Sequence, residues 1–336
     1  MSSQALVTTT QRGLYCLQGD FYIDPWEPVE RAIITHAHAD HARPGSDEYL
    51  CAATGAGVLQ HRMGADADVT GIAYGEVVDH QGVQISFHPA GHVLGSAQVL
   101  LEYKGQRWVI SGDFKRQADP TCTPFEPVPC HTFITEATFA LPIYTWEPVS
   151  QVVDQIHAWW QQCASVGRPA VLGCYAFGKS QRLIAELRGR TDDPIWLHGA
   201  IENLNERYRE SGLTVLTNVH RVADAPAKQD WAGQLVLSPP GAIGSRWANR
   251  FKRAEIALAS GWMRVRGNRR WQSYDRGFAL SDHADWPALL QTVEQTQASR
   301  VLVTHGTSEA FARFLREQRG IDAISLDTKF EGEGEH

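Results

Sequence analysis

The chain has 336 residues, room for one large domain or two ordinary ones, and its 43% hydrophobic and 21% charged content is ample for a real core. No apolar run approaches the roughly 20 residues that span a bilayer, and Met1 to Thr10 lacks a basic region followed by an apolar one, so neither a membrane span nor a signal peptide is expected. Six scattered cysteines with no Cys-x-x-Cys pair exclude a disulfide framework or zinc knot, and read as buried thiols of a cytoplasmic protein.

Leu14 to Asp24 reads as two strands around the Gln18-Gly19-Asp20 turn, the second ending at Asp24-Pro25-Trp26. Arg31-Ala32-Ile33-Ile34 is a short apolar, β-branched run, a buried strand. It leads into Thr35-His36-Ala37-His38-Ala39-Asp40-His41, which places three histidines and an aspartate at the end of a rigid element. In extended backbone His36 and His38 point the same way and can grip one ion, while Asp40 and His41 follow as the chain turns. Imidazole nitrogen and carboxylate oxygen suit zinc, iron or manganese.

This His-x-His-x-Asp-His run resembles the signature of the metallo-β-lactamase fold, and further motifs of that family follow in order. Asp24 matches its first motif, where the aspartate sits behind the ligands and orients them. Gly82 to Phe87 alternates as a strand, and the loop Pro89-Ala90-Gly91-His92 presents His92 at the position of a ligand. Ala97 to Tyr103 and Gln106 to Ser111 form a hairpin that ends at Ser111-Gly112-Asp113, where the family has a metal-bridging aspartate. Phe133-Ile134-Thr135 is a strand ending at Glu136, which resembles motif A of the β-CASP nucleases, a branch that inserts a second domain here.

Strands at Pro169 to Cys174, Pro194 to Leu197 and Gln234 to Leu237 alternate with helical patterns at Gln151 to Cys163 and Ile201 to Ser211, which predicts a parallel α/β sheet in the insertion. Gly178-Lys179-Ser180-Gln181-Arg182 lacks P-loop spacing but resembles a helix start common in β-CASP domains, and Lys179 with Arg182 reads as a phosphate site. Ser281-Asp282-His283-Ala284-Asp285 resembles motif B. Arg300 to Thr304 is a strand ending at His305, resembling motif C, and a helix follows from Ser308 to Gln318. The tail Glu331 to His336 is acidic and Gly-rich and is expected to be disordered.

The resemblance implies an α/β fold: a metallo-β-lactamase αβ/βα sandwich (1–140 and 278–336) with an inserted β-CASP domain (141–277). It assigns His36, His38 and His92 to one ion and Asp40, His41 and His305 to a second, with Asp113 bridging. Two ions roughly 3.5–4 Å apart share a hydroxide that attacks phosphorus. His283 then stabilises the transition state or the leaving group, held by Glu136. The likeness is nearest to bacterial ligase-associated DNA exonucleases and related DNA-repair phosphoesterases. It implies two divalent ions, manganese first and zinc as the alternative. It also implies a DNA substrate, single-stranded or with single-stranded ends, and a functional link to a DNA ligase and a helicase. Three other readings stay open: an RNA-processing β-CASP enzyme, a small-metabolite hydrolase, and a non-catalytic DNA-binding scaffold.

Charge is unevenly spread. Between Arg246 and Arg276 nine basic residues face two acidic ones, a local +7 that leaves −14 elsewhere out of the net −7. Within it, Arg266, Arg269 and Arg270 are the expected contacts to a nucleic-acid backbone; the interleaved aromatics, among them Trp247, Phe251 and Trp271, could stack on bases but for the most part read as core.

Overall fold

The computed structural model describes residues 5–265 and 274–329. Arg266, Arg269, Arg270, Trp271 and the acidic tail from Glu331 lie outside these residues. Backbone contacts divide the chain at 142/143 and 282/283: one compact unit begins at the N-terminus, ends at Pro142 and resumes at His283, and the other is Ile143–Asp282.

The first unit opens with a six-stranded sheet, β1 (Val7–Thr10), β2 (Gly13–Cys16), β3 (Phe21–Ile23), β4 (Arg31–Ile33), β5 (Glu48–Ala52) and β6 (Asp68–Ile72), in that spatial order, with α1 (Ala56–Met63) before β6. The pairs β3–β4, β4–β5 and β5–β6 are parallel. The sequence reading missed β5 and β6. β6 is mostly exposed at the sheet edge and carries no apolar alternation to betray it.

A second sheet follows with β7 (Val77–His80), β8 (Val83–Pro89), β9 (Ala97–Tyr103), β10 (Gln106–Ile110) and β11 (Thr132–Thr135). The chain then forms the second unit. Its strands β12 (Ala170–Gly173), β13 (Ile195–Leu197), β14 (Val219–Arg221), β15 (Leu235–Ser238), β16 (Glu255–Ala259) and β17 (Arg276–Phe278) pair parallel throughout in the order β14-β13-β15-β12-β16-β17. α2 (Val149–Ser165) precedes them, and α3 (Lys179–Arg188), α4 (Gly199–Glu210) and α5 (Pro240–Ile243) run between them. The chain returns to the first unit with α6 (Trp286–Thr296), β18 (Arg300–Val303), α7 (Ser308–Arg319) and β19 (Asp322–Ser325), completing a seven-stranded sheet β19-β18-β11-β10-β9-β8-β7.

That sheet is buried on both faces. Phe87, Val99, Leu101, Trp108, Ile110, Ile134 and Leu302 join one apolar cluster with Phe21, Ile23 and Ile33 of the first sheet. Their sequence neighbours Leu100, Val109, Phe133, Val301 and Val303 face the other way, onto Leu289 and Val293 of α6 and Phe311 and Leu315 of α7. This period-two division explains why β11 and β18 read as continuous apolar runs rather than alternating ones.

Candidate metal centre

β8 is antiparallel to β9 and β9 to β10, while β10, β11 and β18 are parallel, so the carboxyl ends of β8, β10, β11 and β18 share one sheet edge. His92, Asp113, Glu136 and His305 all follow those ends, and Asp24 and His36 follow β3 and β4. Carboxyl ends are where parallel sheets collect functional groups, because the chain there leaves the ladder and its loops are free to vary.

The His-rich loop is tied from both sides. Ile34 N–H donates to Leu50 O at 2.9 Å, and Ala97 N–H to Thr35 O at 2.8 Å. Asp24, in the left-handed region at φ 45°, accepts from Thr35 N–H (2.8 Å) and Thr35 Oγ1–H (2.6 Å), and lies 2.7 Å from His41 Nδ1. A carboxylate there accepts a hydrogen bond from Nδ1–H and leaves Nε2 facing Asp113 and Asp40, at 3.4 and 3.8 Å. Thr35, which the sequence reading passed over, also lies 3.1 Å from His36 Nδ1 through its hydroxyl. The close approach has a backbone requirement: a Cβ on Gly112, at φ +55°, would stand 2.6 Å from the Thr35 side chain.

His36, His38, His92 and Asp113 each bring one donor atom, all within 4.8 Å of one another. His36 Nε2 and His92 Nε2 lie 3.1 and 3.0 Å from the same atom, His38 Nδ1. One imidazole nitrogen carries one in-plane lone pair or one proton, so it cannot satisfy two such neighbours as hydrogen bonds. Donors on one divalent ion at about 2.0–2.1 Å would be spaced roughly 3.0–3.4 Å apart. The donor set therefore fits a metal ion, and the three buried members, His36, His92 and Asp113, are 3%, 1% and 5% exposed. Asp113 Oδ2 is the hub, with Nε2 of His36 at 3.5 Å, of His92 at 3.8 Å and of His283 at 4.0 Å.

Of the remaining expected ligands, His41 reaches the same Asp113 oxygen as His36, and the two rings lie 4.1 Å apart between centroids. The His305 ring stacks on that of His41 with centroids 5.1 Å apart, its Nδ1 against the Thr304 hydroxyl, and its backbone is left-handed at φ 56°. Asp40 is the most open of the set, its side chain 39% exposed.

Electrostatics follow burial and these neighbours. Burial, helped by charge on His41, holds His36 well below the ordinary imidazole range. Burial also opposes charge on His41, but Asp113, Asp40 and Asp24 outweigh it and hold that ring well above the range. Burial would raise Asp113, yet the imidazoles beside it, His41 above all and then His283 and His36, hold it well below the usual carboxylate value. Burial, with His41 beside it, lowers His305.

His283 meets Glu136 as the motifs led us to expect: Nδ1 is 2.8 Å from Glu136 Oε2. The other carboxylate oxygen, Oε1, accepts from Phe114 N–H at 2.8 Å. Glu136 and His283 also stand close enough to Asp113 to form a three-residue ligand group. With both oxygens of Glu136 engaged, however, its geometry is that of a group orienting His283.

Lys179 and Arg182 require a correction. Both side chains are fully buried inside the second unit, 3.6 Å from opposite oxygens of Asp282, and Arg182 donates to Ser281 O at 2.9 Å. Gln181 joins them, accepting from Gly178 N–H and donating to Asn205 Oδ1, each at 2.8 Å. The Gly-Lys-x-Gln-Arg pattern is an internal polar network rather than a surface phosphate site. A charge pattern in sequence cannot distinguish the two. Of the basic stretch, Arg246, Arg250, Lys252, Arg253 and Arg276 are exposed, while Phe251 is buried and Trp247 packs against its cluster. Arg264 lies 3.7 Å from Glu147.

No family model matches the chain. It is 33% identical over 321 residues to a probable DNA ligase of Opitutus terrae, covering 94% of this chain and 30% of that protein. It is 22% identical over 303 residues to the endoribonuclease YSH1 of Candida glabrata, and 30% identical over 115 residues to the cleavage and polyadenylation specificity factor 73 of Drosophila melanogaster. Those matches cover 72% and 34% of this chain, and 38% and 16% of the relatives. These relatives include nucleases of the β-CASP metallo-β-lactamase family. This chain spans about a third of the length of the first two of these relatives. A protein of unknown function from Enterococcus faecalis V583 shares the fold, with TM-score 0.58 at 10% identity, over 81% of this chain and 74% of that one.

Proposed function

We propose that the chain is a metal-dependent nuclease that hydrolyses DNA phosphodiester bonds in the bacterial cytoplasm, in a repair setting linked to a DNA ligase. The observation that carries this is the meeting of four ligand donors, His36, His38, His92 and Asp113, with an imidazole oriented by Glu136. DNA is preferred to RNA because the relative matched over 94% of the chain is named a DNA ligase. The relatives named endoribonucleases, which match over 72%, support RNA as the second reading. In this proposal the unit built on β1–β11, β18 and β19 is the metallo-β-lactamase sandwich, and Ile143–Asp282 is the inserted β-CASP domain.

His36, His38 and His92 would hold one ion and Asp40, His41 and His305 a second, with Asp113 shared between the two sets. Manganese is the proposed metal and zinc the alternative. Two divalent ions supply an activated water and neutralise charge on the phosphate. Asp24 fixes His41 in the tautomer that offers Nε2. His283, its Nδ1 held by Glu136, directs Nε2 to the substrate side of Asp113 and meets a non-bridging or leaving oxygen.

The test is a cleavage assay on labelled single- and double-stranded DNA and RNA with a panel of divalent metals. Metal-dependent DNA cleavage is expected. Cleavage of RNA alone selects the second reading, and hydrolysis of small esters alone overturns both. Protein loaded with saturating manganese should hold close to two ions per chain, and Asp40→Ala with His305→Ala should reduce that number to one. A firm stoichiometry of one in the unaltered protein, with both residues dispensable, defeats the dinuclear assignment.

The basic stretch carries a further expectation. Replacing Arg266, Arg269 and Arg270 together by alanine should weaken DNA binding and flatten its salt dependence, since fewer counterions are released. Turnover of a small phosphodiester should stay level. Equal loss of both would make the stretch a support of the fold or site.

A further inference from the structure

Lys115 is a lysine buried to 1% exposure in the loop that follows Asp113. The ordinary fate of such an ammonium is to be excluded from the interior unless it is paired and hydrogen-bonded. Its partner is Asp119, likewise buried, with Oδ2 at 2.6 Å from Nζ. Asp119 is itself fixed, its Oδ1 accepting from Thr121 N–H at 2.8 Å and Thr121 Oγ1–H at 2.7 Å.

This loop grips three consecutive carbonyls of the loop that carries His92. Lys115 N–H donates to Ala90 O at 3.0 Å, Cys122 Sγ–H to Gly91 O at 3.3 Å, and Lys115 Nζ to His92 O at 3.3 Å. Gly91 permits the approach: at φ +72° its Cβ would stand 2.4 Å from Lys115 O. On its own side, the His92 turn is closed by Ser96, whose Oγ accepts from the N–H groups of His92 and Val93 at 3.0 and 3.1 Å.

We infer that Lys115 is a positioning residue of the metal centre: its ammonium, held by Asp119, pins the backbone of His92 and sets the distance between His92 and Asp113. The inference rests on reading those two residues as ligands of one ion. Lys115 touches no reacting group. It acts by joining two loops that each deliver one donor to the same ion, and metal affinity depends on the groups that hold the ligands in place.

The experiment uses the full chain and three variants, Lys115→Met, Asp119→Asn and the double replacement. Each is measured for Mn2+ affinity by competition, for the visible absorption of the Co2+-loaded protein, and for melting temperature without metal. Lys115→Met should lose about 10–100-fold in Mn2+ affinity. It should also melt lower, because it strands the Asp119 carboxylate in the interior. The double replacement removes that unpaired charge, keeps the oxygen that receives Thr121, and should regain melting temperature without regaining affinity or the unaltered Co2+ spectrum. Should Lys115→Met fail to fold, the double replacement against the unaltered chain decides the matter. Affinity that rises and falls with melting temperature across the set overturns the inference, as does unaltered affinity in the double replacement. Absence of Mn2+ or Co2+ binding in the unaltered chain would overturn the ligand reading itself.

Discussion

His283→Ala is expected to lower kcat by about two to four orders of magnitude while leaving metal content unchanged, the usual cost of removing a positioned general acid. The ring is 7% exposed and its Nδ1 is committed to Glu136, so the proposal assigns Nε2, 4.0 Å from Asp113 Oδ2, to the substrate. Glu136→Gln should give a related, smaller defect. Glutamine retains an oxygen for Phe114 N–H, but loses the negative charge that favours an imidazolium. Kinetics on a small phosphodiester, paired with metal analysis of the same preparation, check both. Loss of metal on replacing His283 would make it a ligand, grouped with Asp113 and Glu136, and would remove it from proton transfer.

Asp113→Asn is expected to cost more, about three to five orders of magnitude in kcat, together with loss of at least one ion. The substitution preserves shape and removes one charge, so it isolates electrostatics. That charge faces His36, His41, His92 and His283, all within 4.0 Å. A bridging carboxylate supports both ions, and a two-ion site contributes several kcal/mol to the transition state, with each 1.36 kcal/mol worth a factor of ten. Single-turnover rates and metal stoichiometry measured side by side check this. Full metal content with a loss below tenfold would show that Asp113 bridges nothing.

Much of the centre was legible in the chain because its signals are local. His36, His38, Asp40 and His41 lie within six residues, and Glu136 and His305 terminate apolar runs whose only stable fate is a buried strand. Strand ends converge wherever strands are parallel, so Asp113, Glu136 and His305 gather at one end of β10, β11 and β18 even though 192 positions separate Asp113 from His305. The edge strand β6 was illegible because half its ladder and most of its side chains face away from the core, leaving no periodic constraint on residue type.

Burial of charge was decided by tertiary structure alone. Lys179, Arg182 and Lys115 look like surface cations in sequence, where cost and compensation are invisible. Each is buried because a carboxylate, Asp282 for the first two and Asp119 for the third, lies within 3.6 Å. Lys115 and Asp119 stand four apart, a spacing that was available in the sequence. Arg182 and Asp282 are 100 positions apart, and no local rule couples them. Residue types and their spacing determined which donors could hold a metal. The fold determined which charges reach solvent, because desolvation depends on neighbours that only long-range packing supplies.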